Sequence, residues 1–533
     1  KPRTSKVYNK RYYPQTSWMA GCVGRRIWVF DWTYFRLSWR FKLKKTFFNF
    51  NNTYHKLPKT FYQEIKPKPV SNPKLIEFNF ELSKFLNVNN SVADQDQGKL
   101  IFSGNNLPAG AKPIAMAYAG HQFGNFVPQL GDGRAILIGE QIAKNGERFD
   151  IQLKGSGRTA FSRQGDGRSP LGPVIREYIL SESLHYLGIK STRSLAMVST
   201  GETVLREEPL KGGILTRVAS SHIRIGTFEF FFFKEDFSSL KKLADYSITR
   251  HFARKNKNKP YEYLLKSVIK LQAELVAKWM SVGFIHGVMN TDNTSISGET
   301  IDFGPCAFMD EYHPTRVFSY IDQGGRYSYI NQGKIMLWNL SKFAECLIPL
   351  LDNNFETAKK KAINCLEIYP KYFEECWLDE MRKKLGFKKK IKDDHILIND
   401  FFKIMQKNNM DFTLSFRNLS KITSSKINSF FEKELKASKE TKNWFEKWNK
   451  RLETENSSRL IISKKMLKIN PIYIPRNHLV ESVIHQAMQE NNFSKMRELL
   501  ELVREPFKEK KSKNSYGLPP KPDEVITNTF CGT

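Results

Sequence analysis

Between residue 100 and about residue 230 the apolar positions fall in short alternating runs bounded by glycine, a pattern that predicts strands. Three runs are clear: Arg134–Glu140, Arg148–Lys154 and Gly213–Val218. Between the second and third, Val174, Ile175, Tyr178 and Ile179 return at helical spacing. Pro173 suits the first turn of that helix, and Gly188 suits its stop. Beyond about residue 235 the period changes. Leu264, Leu265, Val268, Leu271, Leu275 and Trp279 predict one long amphipathic helix over Tyr263–Val282, and residues 337–510 read as mostly helical and lysine-rich. The fold class expected is therefore α+β. A strand-rich N-lobe (61–233) precedes a C-lobe core (234–350) and a helical C-terminal extension with its tail (351–533). This two-lobed layout resembles that of protein kinases.

At 533 residues the chain exceeds one ordinary compact domain, and its 40% hydrophobic content is enough for a substantial core. Pro67, Pro69 and Pro73 break regular structure ahead of the strands. The first sixty residues carry fourteen Lys and Arg against one acid, Asp31, and read as a basic extension. That composition could mark a mitochondrial transit segment or an unprocessed appendage, and mitochondrial localisation is the expectation, with the cytoplasm as the alternative. The formal charge of +31 favours polyanionic ligands, but no nucleic-acid motif accompanies it, so no nucleic-acid partner is expected. Six cysteines without CxxC spacing argue against a zinc site, and no apolar run reaches membrane-spanning length.

The candidate chemistry begins at Gly131-Asp-Gly133-Arg134, heading a predicted strand. Glycines allow backbone N–H groups to approach phosphate and Arg134 adds charge, although a tight turn explains the same residues. Lys154 ends a strand and Glu177 follows on the predicted helix, the types and order of the kinase lysine–glutamate couple. Two unrelated surface charges would look the same. The glycine- and arginine-dense stretch Gly155–Arg168 could wrap polyphosphate or simply be a loop. Arg217 and Arg224 lie in apolar context and need anionic partners, whether ligand or structural carboxylate.

The second half of the site is sharper. His286-Gly-Val-Met-Asn-Thr-Asp292-Asn293 keeps the His-to-Asn spacing of the kinase catalytic loop, and Ile301-Asp302-Phe-Gly304 follows. Val288 stands where the base belongs and cannot accept a proton. Asn293 and Asp302 offer the hard oxygens that suit Mg²⁺. The residues alone allow an inert pseudokinase, or an enzyme in which Asp292 supplies the displaced carboxylate.

Long ordered segments then give a specific resemblance: Tyr118-Ala-Gly-His-Gln-Phe-Gly124, Gln129–Arg134, Leu153–Arg158, Gly165–Arg168, Ser221–Glu229, His286–Asn293, Asp302–Pro305, Trp338-Asn-Leu340 and Asn470–His478. Through them the chain closely resembles the selenoprotein O family of kinase-like protein adenylyltransferases, from about Tyr118 to Leu351 and again near the C-terminus. The resemblance implies AMP transfer from ATP to Ser, Thr or Tyr hydroxyls of proteins, with ATP reversed relative to ordinary kinases. An inert nucleotide-binding scaffold and a conventional protein kinase remain the alternatives. By resemblance Gly131, Gly133, Arg134, Asp166 and Gly167 line the nucleotide. Lys154, paired with Glu177, and Arg217 and Arg224 hold its phosphates. Asp292 is the base, and Asn293 and Asp302 hold Mg²⁺, with Mn²⁺ as a substitute. Cys531, third from the end, occupies the selenocysteine position of selenoprotein members, and Cys306 follows the Asp-Phe-Gly-Pro segment. A reversible Cys306–Cys531 disulfide is the expectation against two thiols. A monomer is expected. The chain departs from the family at Gly333, where relatives commonly carry proline, in its Cys531-Gly-Thr ending, in the divergent 385–465 region, and in its first sixty residues, which match nothing in the pattern.

Overall fold

The structure is a computed structural model that describes residues 47–94, 96–252, 258–422 and 438–529. The strands of the N-lobe are β1 (Tyr62–Glu64), β2 (Lys74–Phe78), β3 (Ile114–Met116), β4 (Gly120–Gln122), β5 (Asn125–Val127), β6 (Ala135–Ile142), β7 (Arg148–Lys154), β8 (Ser169–Pro170), β9 (Arg193–Leu205) and β10 (Pro209–Ala219). The main sheet is antiparallel, ordered β1-β3-β6-β7-β10-β9-β2 with β8 on β10, while β4 and β5 form a separate hairpin. The β6–β7 turn is made by Asn145-Gly146, with Gly146 at φ +81°, the left-handed conformation a tight hairpin demands.

Two registers place the chemistry. Ala135 faces Lys154 across β6–β7, and Arg217 faces Gln152 across β7–β10. Side chains two apart on a strand share a face, so Lys154, Gln152 and Arg217 point the same way. The helix Leu171–Tyr186 lies along this face. Its Leu171, Val174, Ile175, Tyr178 and Ile179 are buried with Leu215 and Met197 of the sheet, which turns Glu177 of the same helix toward Lys154.

In the C-lobe the predicted long helix runs over Pro260–Ser281, with Pro260 in its first turn. Its apolar side packs against the helices Gln332–Leu351 and Ile368–Leu385 in one continuous core. The catalytic loop follows the short strand β11 (Phe284–Ile285), which pairs with β12 (Ala307–Phe308) beyond the Asp-Phe-Gly segment. None of the helices among the described residues is long and apolar enough to cross a membrane.

One boundary differs from expectation. The extension expected over 1–60 gives way to folded chain by Phe47. Phe48 and Tyr54 are buried, Asn51 N–H donates to the Glu140 carbonyl, and Thr53 and Tyr54 N–H groups donate to the buried Glu140 carboxylate. Within the helical extension over 351–533, the last two long helices pack on the N-lobe. Helices Asn477–Glu490 and Ser494–Val503 return to the N-lobe, burying Val480, Val483, Ala487, Met496 and Leu500 against the helix that carries Glu177.

Candidate functional site

Lys154 Nζ donates to Glu177 Oε2 at 2.6 Å and to Asp302 Oδ1 at 3.3 Å. Arg217 reaches the same two carboxylates: its Nε donates to Glu177 Oε1 at 2.8 Å and its Nη2 to Asp302 Oδ1 at 2.8 Å. Arg224 Nη1 donates to Asp302 Oδ2 and to the Asp292 carbonyl, both at 2.6 Å, and its guanidinium lies 4.6 Å over the Tyr118 ring. Arg224 also lies 3.9 Å from the buried Asp132, so three cations meet three carboxylates, and a bound phosphate would compete with those carboxylates for the same cations. Burial works to raise Asp302, but Arg217, Arg224 and Lys154 together hold it well below the usual carboxylate range. Burial lowers Lys154, with Glu177 opposing the shift. Asp302 sits at φ +63°, a strained conformation for a non-glycine residue, which aims its carboxylate into this cluster.

The catalytic loop is fixed from behind. His286 Nε2 lies 2.9 Å from the Ile301 carbonyl and Nδ1 accepts from Val288 N–H, so one imidazole joins the loop to the Asp-Phe-Gly segment. Asn339 Nδ2 donates to the Met289 carbonyl at 3.0 Å. Val288 is buried and carries no proton acceptor, while Asp292 lies in the next turn. Burial pushes the Asp292 carboxyl up to about 7 against the pull of Arg224, a value matched to a general base near neutrality.

Asn293 Nδ2 donates to the Val288 carbonyl at 3.1 Å, which leaves its amide oxygen for a ligand. Among the described residues no group of three His, Cys, Asp or Glu could hold a metal alone. One amide oxygen, one carboxylate and substrate phosphates form a donor set that fits Mg²⁺.

The hairpin β4–β5 is the part that pattern reading of the residues missed. It packs on the catalytic loop: His121 N–H donates to Thr291 Oγ1 at 2.7 Å, Phe123 N–H to Asn290 Oδ1 at 3.1 Å, and Gln122 Nε2 to Asp292 Oδ2 at 3.3 Å. Glu229 anchors it, 2.6 Å from both His121 Nδ1 and Thr291 Oγ1. A Cβ on Gly120 would fall 2.7 Å from Asp292 Oδ1, so only glycine allows this approach. Its sequence signal is the Tyr118–Gly124 segment, which carries the family resemblance.

Gly131 and Gly133 meet the glycine-rich loop directly: a Cβ on either would strike Phe161, and Thr159 Oγ1 donates to the Asp132 carbonyl. Arg134 is half-buried beside Lys154 and pairs with no carboxylate among the described residues. Asp166 is drawn instead to Arg206, at 3.0 and 3.2 Å, on the turn between β9 and β10, while the Gly167 carbonyl accepts from Gly157 N–H within the loop. Cys306 is buried with its Sγ 3.4 Å from the Phe303 carbonyl. Cys531 lies outside the described residues, but Thr529 Oγ1 donates to the Pro305 carbonyl at 2.5 Å, bringing the tail to the residue before Cys306.

A lysine–glutamate couple on a sheet and its helix, joined to an Asp-Phe-Gly aspartate, defines a kinase-like site in which valine takes position 288 and a buried carboxylate, Asp292, lies four residues on. The chain belongs to the SelO family: the profile described as "Protein adenylyltransferase SelO" matches residues 44–504. It is 48% identical over 487 residues to a protein of Bradyrhizobium diazoefficiens named Protein nucleotidyltransferase YdiU, covering 91% of this chain and 99% of that one. A Rhizobium meliloti protein of the same name is 49% identical over 494 residues, covering 92% and 100%. Among solved structures, ROP2 from Toxoplasma gondii, described as a virulence factor with a protein-kinase fold and no enzymatic activity, aligns over 64% of this chain and 88% of its own. The identity is 11% and the TM-score 0.21, a likeness too slight to carry an argument.

Proposed function

We propose that this protein transfers AMP from ATP to hydroxyl groups of other proteins. The carrying observation is the loop carboxylate: position 288 is valine, and Asp292 stands beside Asn293 with Arg224 linking its backbone to Asp302. Lys154, Arg217 and Arg224 would leave Asp302 in part to grip the phosphates, and Arg134 would add a fourth positive group. Asp292 takes the proton of the incoming hydroxyl as its oxygen attacks the α-phosphorus. The bond to the β-phosphate oxygen breaks and pyrophosphate leaves. Fixed charges and positioning supply most of the acceleration. Mg²⁺, held by Asn293 and Asp302, would offset charge developing on the phosphates.

ATP labelled at the α- or the γ-phosphate separates this reading from a kinase: only α-label should become attached to protein. γ-Label on protein would establish phosphoryl transfer, and ATP binding with neither label attached would establish a scaffold. Asn293→Ala should cut α-label transfer at least tenfold with little change in melting temperature, because its side chain supports only one carbonyl.

The Thr529–Pro305 contact supports a redox reading of the tail. An external disulfide or peroxide would accept two hydrogens from the Cys306 and Cys531 thiols as they join. Intact mass under oxidising and reducing conditions should differ by two protons, and equal masses would end that reading.

A further inference from the structure

Arg326 is a half-buried cation against the turn of the β4–β5 hairpin that the reaction above does not use. Its guanidinium lies 4.8 Å over the Trp338 ring and 5.7 Å from the Tyr327 ring. Both rings belong to the catalytic apparatus: Tyr327 Oη donates to Asn290 Oδ1 at 2.6 Å, and Trp338 precedes Asn339, which holds the loop. Asp322 does not neutralise Arg326. It accepts from the backbone N–H groups of Arg326 and Tyr327 instead, at 2.9 and 2.8 Å. No carboxylate comes within ion-pair distance of the guanidinium among the described residues, and its buried Nε has no hydrogen-bond partner. The guanidinium also meets the Tyr327 hydroxyl, and stacking on Trp338 fixes the plane in which its outer Nη groups can receive a carboxylate.

Its place relative to Asp292 gives the residue a purpose. Gly124, at φ +90°, lies against Arg326, and a Cβ there would be 3.7 Å from the guanidinium. Gln122, two residues back on the same hairpin, touches Asp292. An acceptor hydroxyl must approach Asp292, and an extended acceptor chain advances about 3.4 Å per residue. A side chain within two or three positions of the target therefore falls in reach of Arg326.

We propose that Arg326 is a specificity-determining residue that receives a carboxylate flanking the target hydroxyl, so that the preferred acceptors are acidic around the modified residue. The proposal rests on the transferase reading, and its test separates the two. Three synthetic peptide pools carry one Ser, Thr or Tyr flanked within three positions by Glu, Gln or Lys. With α-labelled ATP, the wild-type protein should label the Glu pool about tenfold more efficiently than the Gln pool, the difference lying in acceptor KM. Arg326→Gln should bring the ratio near one, and Arg326→Glu should favour the Lys pool. Fluorescence anisotropy of the same peptides isolates recognition from chemistry: the wild-type protein should bind the Glu peptide at least fivefold tighter than the Gln peptide, and Arg326→Gln should not. Absent label with that binding preference intact would count against AMP transfer and leave Arg326 standing. Label without an acidic preference, a preference that survives Arg326→Gln, or a loss expressed in ATP KM would overturn the role given to Arg326.

Discussion

At the scale of single residues the site is set by close approaches that leave no room for substitution. Gly120 is the clearest. A methyl group there would overlap the Asp292 carboxylate, and for the base proposed above a displacement of about 1 Å can cost about a hundredfold in rate. Gly120→Ala should lower kcat for α-label transfer by about that factor while nucleotide affinity, read by titration with a non-hydrolysable ATP analogue, stays within threefold. That Lys154, Glu177 and Asp302 share one cluster could be read from the sequence because strand, helix and loop motifs fix their types and spacing. Gln122 and Gly120 could not, since their meaning lies in contact with a residue 170 positions away. Lys384 was equally hidden. It is buried with its ammonium 4.2 Å over the Phe416 ring, and burial lowers it to about 7. The unfolded chain keeps that proton up to the ordinary lysine range near 10.5, so between these values the unfolded state binds more protons and stability rises with pH. The stability of the wild-type protein relative to Lys384→Met should therefore increase by about 1 kcal/mol per pH unit from pH 7.5 to 9.5, as measured by denaturant unfolding. A flat difference would show that Lys384 is solvated.

At the scale of elements, local pattern found the strands and helices but not their partners. β7 begins and ends where the alternation of Arg148–Lys154 predicts, and the helix over Leu171–Tyr186 lies within two residues of its predicted start. Helices Asn477–Glu490 and Ser494–Val503 were legible only as helical texture. Nothing local indicates that they cover the outer face of the Glu177 helix, because the contacts span some three hundred residues: Arg176 Nη1 donates to Asn477 Oδ1 at 3.0 Å, and Arg176 also pairs with Glu481. That packing ties the C-terminal helices to the candidate site, since the helix they brace holds Glu177 against Lys154. Leu500→Ala removes a buried side chain from this seam and should cost about 2–5 kcal/mol. A loss of less than 1 kcal/mol in unfolding would place the seam outside the stable core.

At the scale of the whole folded unit the return of the C-terminal segment must be locked to the catalytic lobe, and Arg476 is the lock. It is fully buried and joins three stretches of chain. It pairs with Asp310, just beyond β12. It donates to Asp411 Oδ2 at 2.7 Å and Oδ1 at 3.2 Å, the residue that caps the helix Phe412–Ser420. It also donates to the Gly517 carbonyl at 3.1 Å. Backbone bonds run beside it, from Phe412 N–H to the Asp310 carbonyl and from Tyr312 N–H to the Met410 carbonyl, so removing the arginine leaves two carboxylates held close by their own main chains. Breaking one partner out of a buried ion cluster typically costs about 3–5 kcal/mol. The loss should depend on pH. Burial already raises Asp310, with Arg476 opposing, so without that guanidinium its folded-state pKa rises further above the unfolded value. A carboxyl raised in the folded state binds more protons folded than unfolded, and its contribution is lost as pH rises through the folded value. Arg476→Met should therefore be destabilised relative to the wild-type protein by more at pH 8 than at pH 5, as measured by chemical denaturation at both. An equal loss at the two pH values would mean that the two aspartates escape to solvent when the arginine is gone, and that the lock is one of packing rather than charge.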